Sequence, residues 1–362
     1  MKKSTLFVFS LLFLGASVLA QPELSYAQES TVQTNNNQQL RQLLRQAREL
    51  IDAGDFSGAL AIYQQAASLD TRNARIYSGI GYLQARQQNF TAAVTAYQQA
   101  VALDPNNADF RYALGYSLAN AGDNAGAAVA YRQAAALDPK NVNARIGLGV
   151  VLLRQKDYTG AMNAFLEAIS IDRANWKAYE AVGSLLLMQG ELKNAIAYLQ
   201  TAAQLAPRQS SILLNLGSAF LAQGNLNAAR AEFERAAQLE PNNANIPFQI
   251  GQIYQAQKDY ERAVDAYQKA IAINPKLTAA RMAIGDIRLQ QQDFLRAIVA
   301  YSQVVEIEPE NAQAQYNLGV AFRGRERTAE AIAAFEQARK LFQQQGNSEG
   351  VKNAENALRQ LK

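Results

Sequence analysis

The side chains that could carry chemistry in this chain are mainly carboxylates, because the sequence contains no histidine and no cysteine. Without them the commonest general base, the commonest zinc ligand and the thiol nucleophile are missing. A Ser–Lys pair, a carboxylate pair or a Mg²⁺–carboxylate site remains chemically open, but no G-x-x-x-x-G-K-[ST] phosphate loop occurs. Several aspartates recur at positions typical of turns and solvated charges: Asp55, Asp123, Asp157, Asp259 and Asp293. We therefore predict that the protein is not an enzyme and has no catalytic residue, cofactor or metal site.

Arg41, Arg45 and Arg48 form a basic strip at i, i+4 and i+7 of a helical segment. Such a strip could bind nucleic acid, or it could be a solvated face near the start of the chain. We favour the solvated face because no aromatic residues are interleaved with the arginines. The net charge is only +4, and Lys2 and Lys3 supply two of these charges. The sequence therefore predicts no nucleic-acid partner.

The spacing of glycine shows how the chain is organised. Eight glycines stand 34 residues apart without a slip: Gly81, Gly115, Gly149, Gly183, Gly217, Gly251, Gly285 and Gly319. Alanine follows each glycine by twelve residues, a large apolar side chain by sixteen, and a further alanine or valine by nineteen. An earlier copy begins at Leu40 with Ala47 in the glycine position, which gives nine units over residues 40–345. A period of this length indicates a stack of identical supersecondary units.

Each unit has the pattern of two helices. The first helix of one unit is predicted in RIYSGIGYLQARQQN, residues 75–89, where Ile76, Ile80 and Leu83 have helical spacing. The second follows in FTAAVTAYQQAVAL, residues 90–103, and ends at Asp104-Pro105. Proline stops recur at the same place in most units, because proline cannot continue a helix. The chain is therefore predicted to be all-α, with the large apolar column filling the gap to the next hairpin.

These columns resemble the tetratricopeptide repeat (TPR) family, whose glycine, two alanines, intervening aromatic and terminal proline all match. The resemblance covers residues 40–345 and implies a right-handed superhelical solenoid of nine helix-turn-helix repeats. Residues 346–362 carry Val351, Ala354, Leu358 and Leu361 on one helical face, and we expect them to form a C-terminal capping helix. The alternative for this segment is a detachable helix that binds a partner.

The resemblance also implies a concave groove lined by first-helix residues, in which the family holds peptides. Tyr82 and Tyr116 are unusual for their positions, and we weigh a binding role for them evenly against simple packing. The family's lysine and asparagine clamp for a peptide carboxylate is absent. The candidate groove residues are Tyr82, Arg86, Tyr112, Tyr116, Asn120, Ile146, Arg154, Asn215, Phe248, Tyr316 and Asn317.

The N-terminal segment has the pattern of a bacterial export signal. Met1-Lys2-Lys3 precedes an apolar run, and small residues before Gln21 and Gln28 suit a signal peptidase, so residues 1–27 contain the predicted signal, cleaved after position 20 or 27. The competing interpretation is an uncleaved anchor, although the apolar run is shorter than the roughly 20 residues that a spanning helix needs. Residues 28–39 are polar and predict a disordered linker.

Together these features predict a non-catalytic scaffold that binds extended polypeptide or organises a multiprotein assembly in an exported compartment. The destination would be periplasmic, luminal or secreted, with no stable membrane span after cleavage. The alternative is a self-assembling structural TPR module of the cell envelope, in which case the protein would form homo-oligomers.

Overall fold

The structure is a computed structural model that describes residues 22–361. These residues form helices and no strand, so the all-α prediction is confirmed. The helices are α1 (Pro22–Asp52), α2 (Phe56–Leu69), α3 (Ala74–Arg86), α4 (Phe90–Leu103), α5 (Ala108–Asn120), α6 (Asn124–Leu137), α7 (Val142–Arg154), α8 (Tyr158–Ile171), α9 (Trp176–Met188), α10 (Leu192–Leu205), α11 (Ser210–Ala222), α12 (Leu226–Leu239), α13 (Asn245–Ala256), α14 (Tyr260–Ile273), α15 (Thr278–Gln290), α16 (Phe294–Ile307), α17 (Ala312–Gly324), α18 (Thr328–Gln344) and α19 (Ser348–Arg359).

The described residues divide into two compact units: those up to Lys156 are here called unit 1, and those from Asp157 onward are called unit 2. In unit 1, α1 pairs with α2, α3 with α4, and α5 with α6, and each hairpin packs on the next. Unit 2 repeats this arrangement from α9–α10 to α17–α18. From α1 to α18, odd-numbered helices are thus the first helices of the repeats, and even-numbered helices are the second.

The glycine column lets the two helices of a hairpin approach closely. A methyl group at Gly217 would lie 2.8 Å from Cε1 of Phe233, sixteen residues later on the second helix. Residues of this large apolar column also contact the next hairpin. Tyr131 is an example, because a methyl group at Gly147 on the following first helix would lie 2.6 Å from its Cζ atom. The predicted gap-filling role of this column is therefore only half of its packing, since each ring also covers the glycine of its own hairpin.

The turn inside each hairpin repeats as regularly as the core. One residue in it is left-handed, either glycine, as at Gly224 with φ 83°, or a larger residue, as at Gln292 with φ 60°. The aspartates that we interpreted as turn formers follow directly and cap the second helix. Asp55 Oδ1 accepts a hydrogen bond of 2.8 Å from the backbone N–H of Gly58, and Asp123 does the same for Gly126. These carboxylates therefore satisfy free helix N–H groups.

The N-terminal segment differs from the expected linker. Residues 28–39 belong to α1, which begins at Pro22, and not to a disordered stretch. This segment contains no glycine or proline. Once residues 40–52 are held against α2, each further residue adds a helical hydrogen bond at little cost. The apolar run of the predicted export signal lies outside the described residues.

The last helix covers the end of unit 2. Ala357 and Leu358 of α19 are buried with Ala331 and Phe335 of α18. Val351 packs against a neighbouring cluster that contains Leu341 and Phe342 of α18. The opposite side of α19 is exposed and polar. This arrangement is the one expected of a capping helix, which hides the apolar face of the last hairpin.

Candidate binding surface

The described residues contain no group of three or more Asp or Glu side chains placed to hold a metal ion. The recurring aspartates at the hairpin turns are occupied as helix caps. None of the helices between residues 22 and 361 is both long and apolar enough to cross a bilayer. The candidate functional sites among the described residues are therefore surfaces that could bind another molecule.

First helices of neighbouring repeats contact each other directly. In unit 1, α3 contacts α5 and α5 contacts α7, and in unit 2, α9 contacts α11 and α15 contacts α17. We call the surface formed by the first helices of unit 1, α1, α3, α5 and α7, the first-helix face of unit 1. Residues at the same position of successive repeats fall on neighbouring helices of this face.

Among the residues of this face whose side chains the structure describes, Tyr82 and Tyr116 are the most exposed aromatic ones. Tyr82 on α3 is 44% exposed and Tyr116 on α5 is 47% exposed, whereas the second-helix residue Tyr97 is only 5% exposed. Each follows the glycine of its own repeat by one residue. The structure thus places two half-exposed phenols at equivalent positions of adjacent repeats.

The ring of Tyr116 rests on a residue that the sequence did not single out. Its centroid lies 6.4 Å from that of Phe90, with an interplanar angle of 73°, an edge-on contact. Phe90 is the first residue of α4, a position that is often aromatic in this chain, as in Phe56 and Phe294. That recurrence was the signal that could have identified Phe90.

The tyrosines of this face also act on the phenols beneath it. Burial raises the pKa of Tyr97 to about 12, and the charge of Tyr82 adds to this rise. Burial likewise raises the pKa of Tyr131, with further increases from Tyr112 and Tyr116. These buried phenols therefore stay neutral at physiological pH and donate hydrogen bonds or pack as apolar rings.

Three of the predicted groove aromatics pack inside their own repeats. Tyr112 lies 5.8 Å from Tyr131, Phe248 lies 5.5 Å from Tyr267, and Tyr316 lies 5.4 Å from Phe335, all as tilted ring pairs. All three are half-buried. Their first contribution is therefore to the hairpin core, which distinguishes them from Tyr82 and Tyr116.

The polar candidates of unit 1 already have partners within the protein. The Arg86 guanidinium lies 5.1 Å from the centroid of the Phe56 ring. Arg154 Nη1 donates a hydrogen bond of 3.0 Å to the carbonyl of Ala119, and Asn120 Nδ2 donates one of 2.8 Å to the carbonyl of Tyr116. Ile146 on α7 is half-buried. Arg154 thus joins the first helices α7 and α5, Asn120 bonds within the last turn of α5, and Arg86 packs on the second helix α2.

The two asparagines predicted to face a partner join adjacent first helices of unit 2. Asn215 Nδ2 donates a hydrogen bond of 3.1 Å to Ser184 Oγ, and Asn317 Nδ2 donates one of 3.1 Å to Asp286 Oδ1. In both pairs the partners are 31 residues apart. That common separation was visible in the sequence, but only the stacked geometry shows that it brings the side chains together.

Asp286 is the centre of a small polar cluster. The Tyr301 hydroxyl donates a hydrogen bond of 2.6 Å to Asp286 Oδ1, the same oxygen that accepts from Asn317. Burial raises the pKa of Tyr301, and the Asp286 carboxylate raises it further by accepting this bond. The cluster ties α15, α16 and α17 together at neutral pH.

Solved structures that resemble this chain are helical repeat proteins. The C-terminal part of a TPR repeat-containing protein from Cytophaga hutchinsonii aligns with a TM-score of 0.61 at 16% identity, over 68% of this chain and 99% of that one. A tetratricopeptide repeat protein from Parabacteroides merdae gives 0.53 at 18% identity, over 70% and 99%. The pilF protein of Pseudomonas aeruginosa gives 0.51 at 20% identity, over 60% and 97%. These likenesses support the fold alone.

A search of curated proteins finds no match to this chain. Family models do match it. The model described as tetratricopeptide repeat matches residues 112–175, 214–277 and 282–349, and a second model with this description matches residues 177–209. A TPR repeat model matches residues 47–88 and 85–122. The first model alone spans more than half of the sequence, and the 34-residue hairpins agree with it throughout. The chain belongs to the tetratricopeptide repeat family.

Proposed function

We propose that this protein is a non-catalytic interaction scaffold that binds extended polypeptide on the first-helix face of unit 1. The observation that carries the proposal is the pair of half-exposed phenols, Tyr82 and Tyr116, on the contacting helices α3 and α5. Exposed aromatic side chains at equivalent positions of successive repeats suit a partner that runs across the helices. Tyrosine is also enriched among residues that dominate binding energy.

Packing alone is a poor account of these two positions. A ring that serves the core is covered, as Tyr97 and Tyr131 are, whereas Tyr82 and Tyr116 keep nearly half of their surface in water. A partner that covered these rings would remove a large apolar area from water. It would also immobilise few rotatable bonds, so the entropy cost would be small. The phenol groups would at the same time be free to hydrogen-bond the partner's backbone.

The proposed test uses a random 12-residue peptide library displayed on phage, with the purified protein as bait. We expect the protein to select peptides rich in apolar or aromatic residues. Tyr82→Ala combined with Tyr116→Ala should weaken a selected peptide by about 2 kcal/mol, which is roughly thirtyfold.

The matched control is Tyr97→Ala, which removes a buried ring of the same type. This variant should lower the melting temperature strongly, because it leaves a cavity, whereas the Tyr82 and Tyr116 double variant should melt nearly as the parent does. If the double variant melts as early as Tyr97→Ala and binds selected peptides normally, the two tyrosines are core residues and the proposal fails.

We further propose that the scaffold works after export, in a periplasmic, luminal or secreted location. The support is the basic start, apolar run and small-residue sites of residues 1–27. Both expected cleavage positions precede Leu40, so either one leaves the repeats complete. N-terminal sequencing of exported material should give a chain that begins at Gln21 or Gln28. A chain that begins at Met1 in the membrane fraction would contradict export by cleavage.

The alternative is a structural module that assembles with copies of itself. End-to-end stacking would require exposed apolar surface at the end of unit 2, but α19 covers that surface with Ala357 and Leu358 and faces solvent with polar residues. We therefore rank partner binding above self-assembly. Sedimentation over a concentration series separates the two: a scaffold stays monomeric without peptide, and a self-assembling module does not.

A further inference from the structure

A basic cavity lies at the N-terminal end of unit 1. It has a volume of about 510 Å³ and is bounded by α1, α2 and the start of α3. Three arginines border it, Arg45 and Arg48 from α1 and Arg75 from α3. The other lining residues are Leu44, Tyr63, Asn73 and Ile76.

The three guanidinium groups form no ion pair in the part of the chain that the structure describes, although Glu49 and Asp52 follow Arg45 and Arg48 by four residues on α1. Asp70, in the loop before α3, uses its carboxylate to accept bonds from the Arg72 backbone and the Asn73 side chain. The lining of the cavity thus contains three arginines and no carboxylate, beside the apolar side chains of Leu44, Tyr63 and Ile76.

One arginine of this cavity, Arg48, occupies the same repeat position as Tyr82 and Tyr116 of the first-helix face. Arg48 follows Ala47 by one residue, as Tyr82 follows Gly81 and Tyr116 follows Gly115. At this repeat position, the first repeat of unit 1 has arginine and the next two repeats have tyrosine. The basic end is specific to the first repeat, because no later repeat carries Lys or Arg at this position.

We propose that the cavity is a subsite for the side-chain carboxylates of the bound polypeptide. The inference rests on the proposed function, and it specifies the partner as a segment that joins acidic residues to apolar or aromatic ones. Guanidinium groups hold carboxylates through paired, charge-assisted hydrogen bonds. Leu44, Tyr63 and Ile76 offer apolar contact to the methylene groups of a glutamate or to its neighbour in the peptide.

A single selection separates this inference from the proposed function. The displayed 12-residue library has no free peptide carboxyl terminus, so an acidic preference can come only from Asp and Glu side chains. We expect selected peptides to be enriched in both acidic and aromatic residues. On the variant Arg45→Gln, Arg48→Gln, Arg75→Gln, the acidic enrichment should disappear and the aromatic enrichment should remain.

A matched control keeps the change in net charge the same. Arg41→Gln, Arg72→Gln and Arg132→Gln alter three exposed arginines of unit 1 that do not line the cavity, and this variant should keep the acidic preference. For a selected peptide, glutamate to glutamine should weaken binding about tenfold on the parent protein, the size expected for charged hydrogen bonds. The same change should make little difference on the cavity variant.

The outcomes are distinct. Aromatic enrichment without acidic enrichment overturns the subsite but leaves the scaffold proposal standing. No enrichment of any peptide overturns both. Equal loss in the cavity and control variants shows a diffuse charge effect and overturns the subsite. A labelled 12-nucleotide single-stranded DNA that binds in a cavity-dependent way, without acidic peptide preference, would assign the arginines to nucleic acid instead.

Discussion

Single atoms decide how closely the helices of each repeat pack. At Gly217 there is no room for a side chain, because a methyl group would already lie 2.8 Å from the Phe233 ring. The alanine columns contribute in the same way, and Ala229 and Ala236 of α12 are fully buried. Tyr82 and Tyr116 of the first-helix face differ from these residues, because each keeps nearly half of its surface exposed. Core and surface are thus distinguished within each helix by position in the repeat.

Replacing Gly217 by leucine should disrupt the hairpin formed by α11 and α12 in unit 2. The added side chain would displace Phe233, and overpacking of this kind costs about 1–3 kcal/mol or more. Because repeat proteins are stabilised by neighbour contacts, the loss should be local and should split denaturant unfolding into more than one phase. Ala231→Leu, at an exposed position of α12, is the control and should unfold as the parent does. A single unchanged transition in Gly217→Leu would show that the contact is not tight.

The buried phenol of Tyr267 should make unit 2 sensitive to alkali. Its hydroxyl donates a hydrogen bond of 2.6 Å to Gln255 Oε1. Burial raises the pKa of Tyr267 to about 12, and Asp286 adds to the rise. In the unfolded chain the pKa is about 10. The folded state therefore keeps its full stability below pH of about 10 and loses it as the pH rises towards 12, since the unfolded chain loses the proton first.

Tyr267→Phe should remove the part of this alkaline loss of stability that comes from ionisation of Tyr267. One proton corresponds to about 1.4 kcal/mol per pH unit at most. Urea unfolding of unit 2 between pH 9 and pH 12 measures the slope for both proteins. A variant whose unfolding free energy falls as steeply as that of the parent would show that Tyr267 is not the titrating group.

At the scale of the helix and its turn, the repeat depends on one left-handed residue between first and second helices. Glycine occupies this position in some repeats, but Gln88, Lys156, Lys258, Gln292 and Glu326 occupy it in others, with φ between 60° and 63°. A side chain in this conformation costs about 1–2 kcal/mol. The turns with larger residues therefore carry strain that the packed hairpins hold in place.

Gln292→Gly should stabilise unit 2, because glycine adopts the left-handed turn without steric cost. Removing the steric strain should stabilise the folded state by about 1–2 kcal/mol, whereas the greater flexibility of glycine should stabilise the unfolded chain by roughly 0.5–1 kcal/mol. We therefore expect the free energy of unfolding to rise by about 0.5–1 kcal/mol. The reverse change, Gly224→Gln, should destabilise by a similar amount. Chemical denaturation of both variants measures the effect, and a destabilised Gln292→Gly would refute the strain argument.

The elements were largely readable from the sequence, whereas the side-chain partners were not. The 34-residue period placed the hairpins, and the apolar face of α19 indicated a cap. The helix over residues 28–39 was missed, because polar composition does not reveal that a packed neighbour can extend a helix. Asn215 was expected to face a partner, yet its contact with Ser184 depends on how two first helices stack. Periodicity predicts a residue's position in a repeat but not which side chains it contacts.

At the scale of the whole molecule, the chain is a TPR protein whose repeats are alike in their packing and different on their surfaces. The positions that hold hairpins together recur in almost every repeat. The residue that follows the glycine column is arginine in the first repeat, after Ala47, and tyrosine, valine, serine, glutamine or aspartate in the later ones. Repeats that share a core but differ at this position are suited to binding an extended partner. We propose that this partner is recognised in unit 1, where the cavity arginines and the exposed tyrosines occur.

Site-specific photo-crosslinking tests this central claim most directly. A benzophenone amino acid would replace Tyr82, Tyr116 or, as the control, Val129, a second-helix residue of unit 1 that is 51% exposed. The probe is a labelled peptide from the displayed library, selected on the parent protein. We predict crosslinks at positions 82 and 116 and none at 129. Equal labelling at 129, or labelling there alone, would contradict binding on the first-helix face.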